Sequence, residues 1–168
     1  MVAYLAGQGH RTMAILGGVS SVYPAVQLRE RLGKYAMEYG MELKPEWQIR
    51  SSFNSMDGAA AMRTLLQQET LPSVVCCIND EIAVGAMGVA MDAGLRIPQD
   101  IAFTGYDGVW LGNEFRPQLT TIQMDFDTMG RKLAELVIKG LEGNQEISIA
   151  PVKPWLEIRE STNYKLTS

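Results

Sequence analysis

The segment from Pro72 to Gly108 constrains this chain more than any other, because it reads as one complete strand, helix and strand. Ser73 to Ile78 is a short unbroken apolar run, the pattern of a strand buried on both faces of a parallel sheet. It stops at Asn79-Asp80, either of which can cap a helix over Glu81 to Ala93, and Gly94 suits a left-handed helix end. Pro98 bars further helix, and Ile101 to Gly105 gives a second buried strand ending at Tyr106-Asp107. Parallel strands joined by a helix cross over right-handed, so Asn79 and Asp107 are expected at one sheet edge. Ligands of open α/β sheets bind at that edge.

The flanking segments extend the same alternation. Val2 to Gly7 reads as the end of a helix that begins before Met1, and Thr12 to Leu16 as a strand ending in Gly17-Gly18. After a loop over Val19 to Pro24, Leu28, Leu32, Tyr35, Ala36 and Tyr39 mark the apolar face of a helix over Val26 to Tyr39, with Arg29, Glu30 and Arg31 on its other face. Trp47 to Ile49 reads as a strand, and Met56 to Gln68 as a helix capped by Asn54 or Ser55. Leu119 to Ile122 reads as a strand or crossover segment. A last helix starts at Asp127 or Thr128, carries Met129, Leu133, Leu136, Val137 and Leu141, and stops at Gly140 and Gly143. The tail from Ile147 to Ile158, broken by Pro151 and Pro154, reads as edge-strand pieces. The expected class is α/β, a parallel sheet sandwiched by helices.

Composition narrows the function classes. The net charge of −4 and the absence of a lysine or arginine cluster argue against a direct grip on nucleic acid. No apolar run reaches membrane-spanning length, and the N-terminus lacks the pattern of a signal peptide, so a cytoplasmic location without membrane contact is expected. Cys76 and Cys77 read as small buried hydrophobes on opposite strand faces, and no metal or cofactor is expected. An enzyme is disfavoured: the chain has no G-x-S-x-G elbow, no G-x-G-x-x-G loop, and no acid partner in sequence for His10, which reads as a helix end.

Several strings in order resemble the effector-binding region of the LacI/GalR family of bacterial transcriptional repressors. They are Gly9-His10-Arg11 before Gly17-Gly18, Ile78-Asn79-Asp80 with Ala83, Gly85 and Ala86, the run Ala93 to Ile101, Gly105-Tyr106-Asp107, Pro117 to Ile122, and Arg159-Glu160-Ser161-Thr162. The resemblance implies a periplasmic-binding-protein-like fold and a truncated effector-binding and dimerisation region over 1–168. Within it, roughly 10–124 would form the second subdomain's core, 125–146 a helix packed on the first subdomain, and 147–168 tail strands. The family's helix-turn-helix head and first subdomain do not precede Met1, so DNA would be met only through that absent head, and the last helix is expected to dock on another copy or be displaced.

The resemblance places effector contacts at Phe53, Asn79, Asp107 and Phe126, with Ser20, Ser21, Tyr23 and Trp110 as further candidates. Their chemistry suits a sugar or similar polyol: Asp107 accepts from neighbouring hydroxyls, Asn79 donates and accepts, and the phenyl rings offer flat apolar faces. Asn79 as a plain cap, Asp107 as a turn residue and both phenylalanines as core remain open. Arg29 is the candidate charged anchor; strict spacing from Gly18 would put Leu28 there instead. Gly108 stands where the family commonly has a second aspartate. Ile82, Gly85, Ala86, Val89 and Ala90 fall on the helix that the family uses in its homodimer interface, against burial under the chain's own loops. A small carbohydrate effector, altering operator affinity through a two-state switch, is the expected function. A sugar carrier of the periplasmic type is the main alternative, and a nucleotide-binding enzyme the weaker one.

Overall fold

In the computed structural model, which describes residues 1–19, 21–142 and 150–163, a single six-stranded sheet runs through the molecule. Its strands are β1 (Met13–Leu16), β2 (Gln48–Ile49), β3 (Val74–Cys77), β4 (Ala102–Asp107), β5 (Thr120–Gln123) and β6 (Trp155–Glu157). Their spatial order is β2-β1-β3-β4-β5-β6; the first five are parallel and β6 closes the edge antiparallel to β5. The helices are α1 (Val2–Gly7), α2 (Tyr23–Glu38), α3 (Ser55–Leu65), α4 (Asp80–Asp92), α5 (Trp110–Glu114) and α6 (Phe126–Leu141). The expected class holds, because each central strand is covered on both faces: every residue of β1 and β3 is buried.

Cys76 and Cys77 illustrate that two-sided cover. Adjacent on β3, they face opposite sides, and both are free and buried. Burial pushes the Cys76 thiol up to about 11 and that of Cys77 well above its ordinary value, which removes thiolate reactivity.

Several boundaries differ from the sequence pattern for local reasons. Helix α2 begins at Tyr23 because Pro24 sits in its first turn, where a missing N–H costs nothing. Its buried face is Ala25, Arg29, Leu32 and Ala36, so Arg29 lies on the covered side, whereas Tyr35 and Tyr39 are about half exposed. Trp47 belongs to a 3-10 turn before β2. His10 does not end a helix: α1 stops at Gly7, and His10 is buried with Nδ1 3.0 Å from Ser73 Oγ. Helix α6 starts at Phe126 because Asp125, not Asp127 or Thr128, caps it by accepting from the Thr128 N–H. The expected stop at Gly143 and the start of the tail at Ile147 lie outside the described residues.

Helices α3 and α4 cross almost backbone to backbone. A Cβ on Gly85 would stand 1.9 Å from the Ser55 carbonyl oxygen, and one on Gly58 2.3 Å from that of Ile82. Along α4, Ile82, Ala86 and Ala90 are fully buried, with Ile82 Cδ1 close to Gly17, and Gly85 and Val89 are half-buried. These are the five positions that the family resemblance gave to a homodimer interface. Three have no surface to offer a second copy, Gly85 is taken up by α3, and Val89 packs on the chain's own core.

At the other end, the Arg159-Glu160-Ser161-Thr162 segment forms a short 3-10 turn that ties the tail to the sheet. Ser161 Oγ donates to the Phe103 carbonyl at 2.6 Å and accepts from the Thr120 N–H at 2.8 Å; Thr120 Oγ1 and Thr162 Oγ1 lie 2.7 Å apart. Glu160 accepts from the Gln118 N–H. In contrast, α6 has no buried residue, and Leu133, Val137 and Leu141 are 58, 58 and 85 % exposed.

Two expected outcomes separate these regions. Gly85→Val should lower stability by more than about 3 kcal/mol, because its side chain meets backbone that cannot move aside, read as a fall in the urea midpoint. Leu133→Gln with Val137→Gln should leave that midpoint nearly unchanged, within about 0.5 kcal/mol per site, because neither residue is buried in the chain.

Candidate functional site

The strand order reverses between β1 and β3: the chain leaves β1 for β2 on one side and returns to β3 on the other. A crevice opens at the carboxyl ends of strands at such a switch point. Here it is a hollow of about 240 Å³ lined by Val22, Pro24, Ala25, Leu28, Phe53, Ile78, Asn79, Tyr106 and Asp107. Its walls thus come from the segments following β1, β2 and β3 and from the last two residues of β4. Gly17, at φ +99°, lets the backbone turn there; a Cβ would meet Ile82 at 2.5 Å and Ile78 at 2.6 Å.

Three of the expected contacts share this hollow: Phe53, Asn79 and Asp107. Asn79 is also the cap of α4. Its Oδ1 accepts from the Ile82 N–H at 2.9 Å and its Nδ2 donates to the Phe53 carbonyl at 2.7 Å, so it retains one free N–H and one free lone pair. That bond also fixes the backbone of Phe53, whose ring is half-buried against the core.

Asp107 is the unsettled residue of the group. It is the one non-glycine with positive φ (104°) among the described residues, in a region that side chains rarely adopt. Among those residues no donor is hydrogen-bonded to its carboxylate. Burial, with the nearby charges of Asp80 and Glu81, pushes its pKa up to about 6. Asp80, next in the cluster, is the opposite case. It is fully buried, accepts from Thr121 Oγ1 at 2.6 Å and from the Val109 N–H at 2.8 Å, and burial still raises its pKa against those bonds. Gly108, standing where an aspartate is common in the family, is at φ +74°, and a Cβ there would lie 2.3 Å from the Gln123 side chain.

The remaining expected contacts lie elsewhere. Arg29 is turned away on the other face of α2, its Nη1 donating to the Gly17 and Ile49 carbonyls, and Leu28 occupies the hollow in its place. Phe126 is 51 % exposed at the start of α6, in a separate depression with Trp155. Ser21 is exposed and does not line the hollow, and Tyr23 turns outward with its hydroxyl accepting from Gln27. Trp110 is 72 % exposed at the first residue of α5. Ser20 lies outside the described residues. Tyr106, Ile78, Val22, Pro24 and Ala25 were not foreseen; the adjacency of Tyr106 to Asp107 was the available signal for one of them.

Residues 2–162 match the periplasmic binding protein-like domain family. The chain is 32 % identical to the HTH-type transcriptional repressor PurR of Pasteurella multocida over 164 residues, 97 % of this chain and 49 % of that protein. The chain belongs to the LacI/GalR family. It aligns with a dimeric Lac repressor carrying an 11-residue C-terminal deletion at TM-score 0.88 and 26 % identity, over 96 % of this chain and 58 % of that one. A transcriptional regulator CelR–cellobiose complex gives TM-score 0.85 and 27 % identity, covering 95 % of this chain and 49 % of that one. This LacI-type chain therefore spans about half the length of the curated relatives it matches. No described helix is long and apolar enough to cross a membrane, and among the described residues no group of three or more His, Cys, Asp or Glu is placed to hold a metal.

The state of Asp107 sets a pH dependence. Its folded pKa of about 6 exceeds its ordinary value, so between about 4 and 6 the folded chain binds more protons than the unfolded one. The ionised carboxylate therefore costs stability above pH 6, and the cost disappears as pH falls toward 4. Asp107→Asn, which keeps the shape and tolerates positive φ, should raise Tm by roughly 2–4 °C at pH 8 and change it little at pH 4, measured by calorimetry.

Proposed function

We propose that this chain is the ligand-sensing part of a LacI-type transcriptional regulator, and that its effector binds in the hollow formed by Phe53, Asn79, Tyr106 and Asp107. One observation carries the reading. Asp107 is an acid in a costly backbone conformation, without a donor, facing a hollow at the switch point of the sheet. A residue that costs stability and gains nothing inside the chain is explained by a donor arriving from outside.

The chemistry of the walls defines the effector class. Asp107 offers two accepting oxygens, Tyr106 a hydroxyl, and Asn79 one remaining donor and acceptor, while Phe53, Leu28 and Ile78 supply apolar contact. Among the described residues no cation lines the hollow, since Arg29 is turned elsewhere. That favours a neutral ligand rich in O–H or N–H donors over an anionic one. A carbohydrate fits, and CelR is known as a complex with cellobiose. A flat heterocycle with N–H groups stacked on Phe53 is the second reading, favoured because the curated relatives matched at 30–33 % identity are repressors named PurR.

At about 240 Å³ the hollow is smaller than a usual complete small-molecule site, which supports a second wall supplied from outside the described residues. The uncovered stripe of α6 supports the same reading, since an amphipathic helix with its apolar face in water forfeits on the order of 1.5–3 kcal/mol per large side chain. Closure of two walls on an effector would shift a two-state equilibrium and so operator affinity, with a coupling of about 1–3 kcal/mol. A homodimer working in the cytoplasm, meeting DNA through a separate head, completes the proposal. Its interface on the α3–α4 layer would use exposed residues such as Met56 and Met91, not the covered ones.

Calorimetric titration of the full-length regulator with a panel of neutral sugars, purine bases and nucleosides tests the assignment. One class should bind, and Asp107→Ala should weaken it by about tenfold or more, the loss of one or two hydrogen bonds to a charged acceptor. Unchanged affinity in that variant removes Asp107 from the site.

A further inference from the structure

A second cleft, on the opposite face of α2 from the hollow, holds chemistry that the effector site does not use. It measures about 420 Å³ and is lined by Val26, Arg29, Glu30, Gly33, Lys34, Met37, Leu43, Gln48 and Arg50, between α2 and the edge strand β2. Arg29, only 8 % exposed, and Arg50 stand together at the carboxyl ends of β1 and β2. Arg29 Nη1 donates to the Gly17 and Ile49 carbonyls, and Arg50 Nη1 donates to the Gly18 carbonyl at 3.2 Å.

Neither guanidinium has a carboxylate within 4.0 Å among the described residues. Glu30 lines the cleft but forms no ion pair with either, and Lys34 pairs at 3.7 Å with Glu38, both largely in water. Of the ten N–H donors on the two arginines, three are spent on these carbonyls, which leaves seven. Burial, then the charge of nearby Arg50, lowers the pKa of Arg29 to about 10. A buried cation beside a second cation is costly unless an anion answers both.

We propose that this cleft is a second binding site, distinct from the effector hollow, for a small phosphate monoester. A carboxylate saturates one guanidinium fork, whereas the three terminal oxygens of a phosphate ester match donors from two arginines. Val26, Met37 and Leu43 line the rest of the cleft and leave room for an organic remainder beyond the phosphate. Because Arg29 also holds the Gly17 carbonyl, and Gly17 packs on Ile78 and Ile82 next to Asn79, occupancy of the cleft can be felt at the hollow.

The test is calorimetry at low salt on the full 168-residue chain, with inorganic phosphate, glucose 6-phosphate and glucose as probes. Glucose 6-phosphate should bind at least about tenfold more tightly than inorganic phosphate. Arg50→Gln, which removes an exposed side chain with one backbone bond, should weaken it by about tenfold or more, with Lys34→Gln weaker in effect. Asp107→Ala should leave phosphate binding within about twofold, because Asp107 lines only the other hollow. Equal affinity for phosphate and its ester overturns the ester assignment. No binding of either at about 10 mM, indifference to Arg50→Gln, or loss in Asp107→Ala overturns the site itself. A failure of the effector assignment leaves these outcomes unaffected, since they do not depend on the hollow being occupied.

Discussion

The carboxylate of Asp80 is the interaction on which the ligand-facing edge depends. It sits at the first turn of α4, where the helix N-terminus favours negative charge, and from there binds Thr121 on β5 and the Val109 N–H beyond β4. A charge with no exposed surface survives only when donors replace water, and these donors come from two separate pieces of chain. The contact also explains Gly105: a Cβ there would stand 2.1 Å from the Asp80 carboxylate. The Gly-Tyr-Asp string of β4 and the Asn-Asp string of β3 are therefore two halves of one construction.

That construction makes the neighbouring acid costly. With Asp80 hydrogen-bonded close by, Asp107 must carry its own charge in a partly dry place beside other acids, in a conformation its side chain resists. Stability is concentrated in Asp80 and withheld from Asp107, two residues close in space with the same chemistry. The tail acts in the same sense: the Ser161 and Thr162 hydroxyls satisfy buried polar groups on β4 and β5, holding those strands so that the loops at their ends have fixed positions.

The two faces of α2 divide the charges. One face presents Ala25 and Leu28 to the hollow and leaves it without a cation; the other gathers Arg29 with Arg50 over β2. A single helix rotation decides which ligand chemistry each side can accept. The side chain of residue 28 or 29 reaches one cleft or the other, and neighbours on a helix never face the same way.

The sequence by itself determined the alternating α/β order, the buried strands β1, β3 and β4, helix starts capped at Asn54 or Ser55 and at Asn79 or Asp80, and the shared edge of Asn79 and Asp107. Each follows from local rules of periodicity, capping and crossover handedness. Only the tertiary structure decided that Arg29 turns toward the Gly17 and Ile49 carbonyls and that Phe126 stands apart from the hollow. It also decided that Ile82, Ala86 and Ala90 are fully buried within the chain. These outcomes depend on the pitch at which α2 starts, on where Asp125 caps α6, and on how closely Gly58 and Gly85 let two helices approach. The last of these joins residues distant in the chain, and the two helix starts set which face of each helix meets the rest of the fold, a pairing that local pattern does not specify.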